Sequence, residues 1–167
     1  MTKLSVNINK IATLRNSRGG NYPDVLSFAK KIQEFGAAGI TIHPRPDERH
    51  IKYADAFALK EVVYTEFNIE GNPIEKFINL VNAIKPTQVT LVPDAVDAIT
   101  SNAGWDTITN KNMLKEIVSE FKSSNIRTSI FLDPDTKYID SVCEIGPDRI
   151  ELYTEQFAKE YAKNNLD

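Results

Sequence analysis

The sequence has few of the residues that mark disulfide-rich, metal-binding or membrane-spanning proteins. Its 167 residues include one cysteine, Cys143, and two histidines, His43 and His50. One cysteine excludes an intrachain disulfide, and we expect it to be a buried small hydrophobe on a helix flank. No cysteine accompanies the histidines, so a zinc site is not predicted, whereas a carboxylate-rich magnesium site stays open.

Long apolar runs and a strong charge imbalance are also absent. No run approaches the roughly 20 apolar residues of a membrane helix, and residues 1–7 lack the apolar core of a signal peptide. A net charge of −3 and a pI near 5.5 give no general attraction to nucleic acid or an anionic membrane. We therefore expect a cytoplasmic protein, a single domain over residues 1–167, with small molecules as partners and anions held by local groups.

Short β-branched runs alternate with amphipathic stretches, as in βα units around a parallel sheet. Pro23 and Pro73 each stand at the start of a predicted helix, and Gly36 is suited to end the first. The spacing of apolar residues from Met113 to Phe121 predicts a further helix. The six predicted strands are Leu4–Ile8, Gly39–His43, Glu66–Glu70, Gln88–Val92, Arg127–Leu132 and Arg149–Leu152.

Polar residues end five of the six predicted strands. In parallel βα folds the carboxyl ends of the strands meet at one mouth, where catalytic side chains gather. Glutamate and histidine there are suited to proton transfer near neutral pH when burial tunes them, although polar residues are also common at strand ends without function. The residues concerned are Asn7, Asn9, His43, Glu70, Asp133 and Glu151.

Two basic clusters follow the first two strands and suggest a phosphorylated ligand. Arg15 and Arg18 stand in a predicted loop that ends in Gly19-Gly20, which lets backbone approach a ligand closely. Arg45 and Arg49 follow strand two, and the planar guanidinium binds phosphate well. For Arg49 an ordinary surface pairing with the neighbouring acidic residues is an equal alternative.

Several segments along the chain form recognisable motifs, namely Val6-Asn7-Ile8, Ala12-Thr13-Leu14-Arg15, Arg18-Gly19, Gly39-Ile40-Thr41-Ile42-His43 with Arg45, Asp47 and Arg49-His50-Ile51, Asn68-Ile69-Glu70, Leu91-Val92-Pro93 with Thr100 and Gly104, and Arg149-Ile150-Glu151-Leu152-Tyr153-Thr154. Taken together, these segments resemble the pyridoxine 5'-phosphate synthase family along essentially the whole chain. The resemblance implies a TIM-type (β/α)₈ barrel that needs no organic cofactor, forms a homo-oligomer, and condenses 1-deoxy-D-xylulose 5-phosphate with 3-amino-2-oxopropyl phosphate, releasing phosphate and water.

The resemblance also implies roles for individual residues. Glu70 matches the family's general base, His43 its proton acceptor, and Glu151 a carboxylate that assists the transition state. The positions that match substrate-holding residues are Asn7, Arg18, Arg45, His50 and Thr100.

The sequence departs from the family pattern at two places. Asn9 and Lys10 stand where many relatives carry an Asp-His pair, and both are kept as candidate substrate contacts because an amide bonds a hydroxyl and a lysine meets an anion. The chain also ends after six strands, so we expect a barrel that lacks strands seven and eight. Two alternatives follow: an inactive fragment that binds phosphate or serves in assembly, and a doubly wound sheet that binds a phosphorylated ligand.

Overall fold

The computed structural model describes residues 1–94 and 103–164. Six parallel strands form one sheet in the order β1-β2-β3-β4-β5-β6, so each strand pairs with its neighbour in sequence. The strands are β1 Ser5–Asn7, β2 Gly39–Ile42, β3 Glu66–Gly71, β4 Gln88–Leu91, β5 Arg127–Leu132 and β6 Arg149–Leu152.

Helices connect successive strands, as the right-handed βα crossover requires. The helices are α1 Asn9–Ser17, α2 Val25–Glu34, α3 Tyr53–Lys60, α4 Glu75–Ile84, α5 Lys111–Ser123, α6 Ile139–Ile145 and α7 Glu155–Ala162, with a short 3₁₀ turn at Thr136–Tyr138. The sheet curves into part of a barrel, and the predicted TIM-barrel class is confirmed. The alternative of a doubly wound sheet is therefore wrong.

The two faces of the sheet differ sharply in polarity because strand side chains alternate. One face packs against the helices and is apolar; Ile40, Ile69 and Val89 are completely buried there. The other face is concave and polar. Register aligns Thr41 with Asn68 and Asn68 with Gln88, so polar side chains of neighbouring strands stand side by side on that face.

The α2 boundaries follow from local capping chemistry. Asp24 is the N-cap, and its carboxylate accepts a hydrogen bond from the backbone N–H of Ser27 at 2.6 Å. Gly36 takes φ +95° just beyond the helix, a conformation that favours glycine. Pro23 therefore precedes the cap instead of forming the first helical turn, and Pro73 likewise precedes Ile74, the N-cap of α4.

Two other sequence expectations were wrong. The segment with Arg15 is not a loop, because residues 9–17 form α1 and only Arg18, Gly19 and the residues after them leave the helix. Cys143 is exposed on α6, not buried. In that helix the inward positions belong to Val142 and Ile145, and Cys143 falls on the opposite side.

Candidate active site

A cavity of about 760 Å³ runs along the concave face of the sheet. Three predicted site residues line it at the carboxyl ends of their strands, namely Asn7, Glu70 and Glu151. Glu70 belongs to β3 and Glu151 to β6, strands separated by β4 and β5, and only the curvature of the sheet makes them face the same space. The sequence prediction that strand ends converge on one mouth is supported for these three residues.

The two glutamates of this cavity have pKa values above the ordinary range. Burial is the main cause for Glu70, and the negative charges of Glu151 and Asp94 add to it, which together raise the pKa of Glu70 to about 8. Burial also raises the pKa of Glu151, although a hydrogen bond with Thr90 opposes the shift. The negative charge of one carboxyl disfavours ionisation of the other.

His43 lies at the end of β2 in a second, smaller cavity beside Arg45 and Asp94. Its side chain is buried, and its Nε2 lies 3.8 Å from Oδ2 of Asp94. The same Asp94 oxygen accepts a hydrogen bond from Nη2 of Arg45 at 2.7 Å. Burial lowers the pKa of His43 to about 4, the negative charge of Asp94 raises it, and the charges of Arg45 and His50 lower it.

Asp94 is a site residue that the sequence reasoning missed. It follows β4, the one predicted strand to which no polar end residue was assigned, and lies three positions beyond Leu91, where the strand ends. A polar residue at the carboxyl end of a strand is the signal that identifies Glu70 and His43. The same signal identifies Asp94 when the residue after Pro93 is included. The Asn72 side chain donates to the backbone oxygen of Asp94 at 2.6 Å, which links the ends of β3 and β4.

The side chain of Asn9 contacts the protein itself. Its side-chain oxygen accepts a hydrogen bond from the backbone N–H of His43 at 2.8 Å. The backbone N–H of Asn9 donates to the side-chain oxygen of Asn7 at 2.9 Å. The start of α1 is thus joined to the end of β2, and Asn9 supports His43 whatever else it binds.

The loop that carries His50 is held by α1. Arg15 forms a buried bidentate ion pair with Asp55, with distances of 2.6 and 2.8 Å. The side-chain amide of Asn16 donates to the backbone oxygens of Arg49 and His50 at 3.0 and 2.8 Å. Arg15, which the sequence suggested for phosphate, is therefore committed to the protein, while the same contacts fix the position of His50.

The remaining predicted contacts lie further out. Arg18 is exposed at the C-terminal end of α1 and lines neither cavity, and Lys10 is exposed in the first turn of the same helix. The charge of Lys10 contributes to lowering the pKa of His50, for which burial is the main cause. Arg49 pairs with Asp47 at 2.5 Å, as its surface alternative predicted. Thr100 lies outside the described residues.

A row of buried polar side chains lines the middle of the concave face. Asn68 stands at its centre: its amide donates to Thr41 at 3.4 Å, and its oxygen accepts from Thr90 at 3.1 Å and from Gln88 at 3.2 Å. The hydrogen bond from Asn68 to Thr41, at 3.4 Å, is long. The two hydrogen bonds that the side-chain oxygen of Asn68 accepts have ordinary lengths. These residues satisfy one another in a region where unpaired polar groups are costly.

Charged side chains close the amino-terminal end of the same face. Glu66 forms ion pairs with Arg127 and with Arg149, the latter at 3.3 Å. Both arginines also donate to the side-chain oxygen of Gln88, at 2.8 and 3.2 Å. The sequence predicted no role for Glu66, Arg127 or Arg149. These residues stand at the starts of strands, whereas the predicted site lies at the carboxyl ends.

The described residues contain neither a metal-binding cluster nor a membrane-spanning helix. Over residues 1–94 and 103–164, no group of three or more histidine, cysteine, aspartate or glutamate side chains is arranged to hold a metal ion. Within the same ranges, none of the helices has the length and apolar character needed to cross a bilayer.

Solved structures confirm the class of fold. Mandelate oxidase with (S)-2-phenylpropionate superposes with a TM-score of 0.56 at 9% identity, over 87% of this chain and 53% of that one. Mandelate oxidase with 3,3-difluoro-2-hydroxy-3-phenylpropionic acid gives 0.55 at 10% identity, over 87% and 54%. The chain thus spans about half the length of these proteins, and the likeness concerns the fold alone. Fold and site together define a barrel-type α/β protein with acid–base groups at the carboxyl ends of its strands.

Sequence comparison then identifies the family. The family model described as "Pyridoxal phosphate biosynthesis protein PdxJ" matches residues 4–167. A pyridoxine 5'-phosphate synthase of Christiangramia forsetii is 66% identical over 165 residues, 99% of this chain and 70% of the relative. One of Flavobacterium johnsoniae is 64% identical over 170 residues, 100% of this chain and 72% of the relative. The chain belongs to the pyridoxine 5'-phosphate synthase family.

The family assignment confirms the resemblance read from the motifs, and with it the interpretation as an enzyme of pyridoxine biosynthesis. The alternative of an inactive phosphate-binding or assembly fragment gains no support from these relatives. The expected oligomer and the roles of individual residues stay predictions.

Proposed function

We propose that this protein condenses 1-deoxy-D-xylulose 5-phosphate with 3-amino-2-oxopropyl phosphate to pyridoxine 5'-phosphate, phosphate and water, by acid–base catalysis from Glu70, His43 and Glu151. The observation that carries the proposal is the raised pKa of Glu70, about 8, at the mouth of a cavity that Glu151 also lines. Forming an aromatic ring from two carbonyl compounds requires repeated removal and return of protons, and groups with tuned pKa values perform such steps.

Glu70 is the general base of this proposal. A carboxyl with a pKa near 8 is partly ionised at neutral pH, so it can accept a proton from carbon and later return it. Burial is the largest cause of the shift, and the same burial strengthens the interaction of the ionised group with a substrate.

Glu151 acts as the partner carboxyl. Its pKa is also raised, and its negative charge raises the pKa of Glu70, so a state with one carboxyl protonated and the other ionised is favoured over a doubly ionised pair. The protonated member can donate to a leaving hydroxyl as water is expelled, and the ionised member can accept from carbon. The pair thus supplies both halves of a dehydration.

His43 is a neutral base in this scheme. Its lowered pKa, about 4, leaves the imidazole uncharged at neutral pH and able to accept a proton. The Asp94 carboxylate, 3.8 Å from Nε2, stabilises the charge that appears when it does so. Arg45 and His50 border the same region and are proposed to hold a phosphate, and Asn7 a substrate hydroxyl.

The direct test is product formation by the purified protein given both phosphorylated substrates. Glu70→Gln keeps the shape of the side chain and removes the base, so we expect a fall in kcat on the order of 10²-fold or more. Glu116→Gln, an exposed substitution on α5, is the matched control and is expected to stay within twofold of the parent.

Either of two results would overturn the proposal. One is a folded parent protein that forms no product at any pH between 6 and 9, a range of about one to two units around the raised pKa of Glu70. The other is a Glu70→Gln variant as active as the Glu116→Gln control.

A further inference from the structure

The side chains of His43, Arg45 and Asp94 form a buried cluster at the ends of β2 and β4. The relative exposures of the three residues are 8%, 4% and 9%, so none of them is a surface group. One oxygen, Asp94 Oδ2, faces both partners: it accepts from Arg45 at 2.7 Å and lies 3.8 Å from Nε2 of His43. Asp94 thus contacts two residues proposed for the reaction without lining the larger cavity itself.

Asp94 is itself held in place. Its backbone oxygen accepts from the side chain of Asn72 at 2.6 Å, and Asn72 directly follows β3. The carboxylate therefore stands at a fixed point relative to three strand ends. A charge held in this way orients its neighbours without reorganising when a proton moves.

Charge balance supplies the second argument. A buried guanidinium close to an imidazole would oppose protonation of that imidazole, and Asp94 offsets this because its negative charge lies against both groups. The hydrogen bond from Arg45 to Asp94 also fixes one edge of the planar guanidinium. The guanidinium therefore has a defined orientation toward a bound anion.

We propose that Asp94 is a positioning residue, which holds the Arg45 guanidinium and favours the His43 tautomer that carries its hydrogen on Nε2. The catalytic meaning of this proposal rests on the proposed function, whereas the arrangement of the three side chains is measurable without substrate. Carboxylates that face one imidazole nitrogen select the tautomer in this way in other proton-transfer sites.

The substrate-free test uses the fact that the chain has two histidines. Long-range ¹H–¹⁵N spectra of the full chain at neutral pH give one signal set for each imidazole, and a His50→Gln variant assigns them. We expect the hydrogen of His43 on Nε2 in the parent and a shift of the population toward Nδ1 in Asp94→Asn. Asp94→Glu, which keeps the charge, should restore at least half of the Nε2 population.

The kinetic test separates positioning from mere structural support. Asp94→Asn is expected to lower kcat about 10- to 100-fold, part of the 10²–10⁴-fold that a positioned proton-transfer group contributes. In the pH profile of kcat, one limb reflects the ionisation of Glu70, and Asp94→Asn should shift that limb to lower pH. The reason is that Glu151 and Asp94 are the charged groups that raise the Glu70 pKa beyond the effect of burial. Asp140→Asn, exposed on α6, is the control and should change neither quantity.

The outcomes separate the two proposals. An unchanged His43 tautomer in a folded Asp94→Asn variant overturns the positioning role, even if the variant is less stable. A parent protein without product overturns the proposed function, while the tautomer measurement still decides the role of Asp94. If Asp94→Asn does not fold, Asp94→Ser takes its place: a shift of the His43 population toward Nδ1 supports the role, and an unchanged tautomer overturns it.

Discussion

The backbone N–H of His43 donates a hydrogen bond to the side-chain oxygen of Asn9 at 2.8 Å, which joins the start of α1 to the end of β2. Residue 9 was expected from the sequence as a substrate contact. Its observed contact gives it a second task, because a shift of the His43 backbone would move the imidazole away from Asp94. Substitutions of Asn9 can separate its support of the His43 backbone from a role in substrate binding.

Asn9→Ala removes the acceptor, whereas Asn9→Asp retains one. We expect the alanine variant to lose about 1 kcal/mol in free energy of unfolding, the usual contribution of one such hydrogen bond, and to lower kcat as His43 shifts. The aspartate variant should stay near the parent in both. Urea unfolding and steady-state kinetics measure the two effects, and equal losses in both variants would contradict the supporting role.

Glu70 makes the stability of the fold depend on pH. Its pKa is raised from 4.5 to about 8 on folding, so the folded state holds a proton that the unfolded state has released between these values. Stability from this group is present below pH 4.5 and is lost as pH rises through about 8. We expect Glu70→Gln to reduce the decline of unfolding free energy over this window, by at most about 1.4 kcal/mol per pH unit because one proton is involved.

Urea unfolding at several pH values measures this slope, with Glu116→Gln as the exposed control. An identical slope in the parent and in Glu70→Gln would show that Glu70 is not protonated in the folded protein at neutral pH.

The ion pair of Arg15 with Asp55 should be costly to break from one side. Their side-chain exposures are 5% and 12%, so Arg15→Met leaves a nearly buried carboxylate without its cation. We expect a loss of about 3 kcal/mol in unfolding free energy. Arg49→Met breaks the more exposed pair with Asp47 and should cost less than about 1 kcal/mol. Chemical denaturation compares them, and similar losses for the two variants would be contrary to expectation.

Gly104 lies against the end of β5 without room for a side chain. A Cβ there would stand 2.1 Å from the backbone nitrogen of Asp133, and backbone cannot yield as a side chain can. We expect Gly104→Ala to destabilise the fold by about 1–3 kcal/mol, as overpacking does. Gly20→Ala, where no atom lies within 4 Å of the added Cβ, is the control for glycine replacement. Thermal unfolding of both variants measures the difference, and equal melting temperatures would speak against the close packing.

Much of this architecture could be predicted from the order of elements. Every predicted strand overlaps an observed one, because β-branched runs bounded by helices are a strong signal. Helix α1 was missed because Asn9–Ser17 has few apolar residues and no capping side chain, so its pattern resembles a loop. The buried contact of Arg15 with Asp55 of α3 favours this helix, and no local pattern encodes such a contact.

The candidate site was predictable only in part. Residues that line the mouth follow from strand order, and Glu70 and Glu151 were found in this way. Asp94 was missed because it lies three residues past the end of β4, and its contact with Arg45, about fifty positions earlier in the chain, is visible only in the fold. The sequence likewise could not show whether Arg15 or Arg18 was committed to an internal partner.

The row of bonds centred on Asn68 restricts how this sheet can change. Asn68 both donates to Thr41 and accepts from Thr90 and Gln88, so its amide has one orientation that suits all its neighbours. A replacement that removes the donor or the acceptor at one of these positions leaves its buried partner without that hydrogen bond. Substitutions in the middle of the concave face are therefore expected to be tolerated as a coordinated set, while single replacements there cost stability.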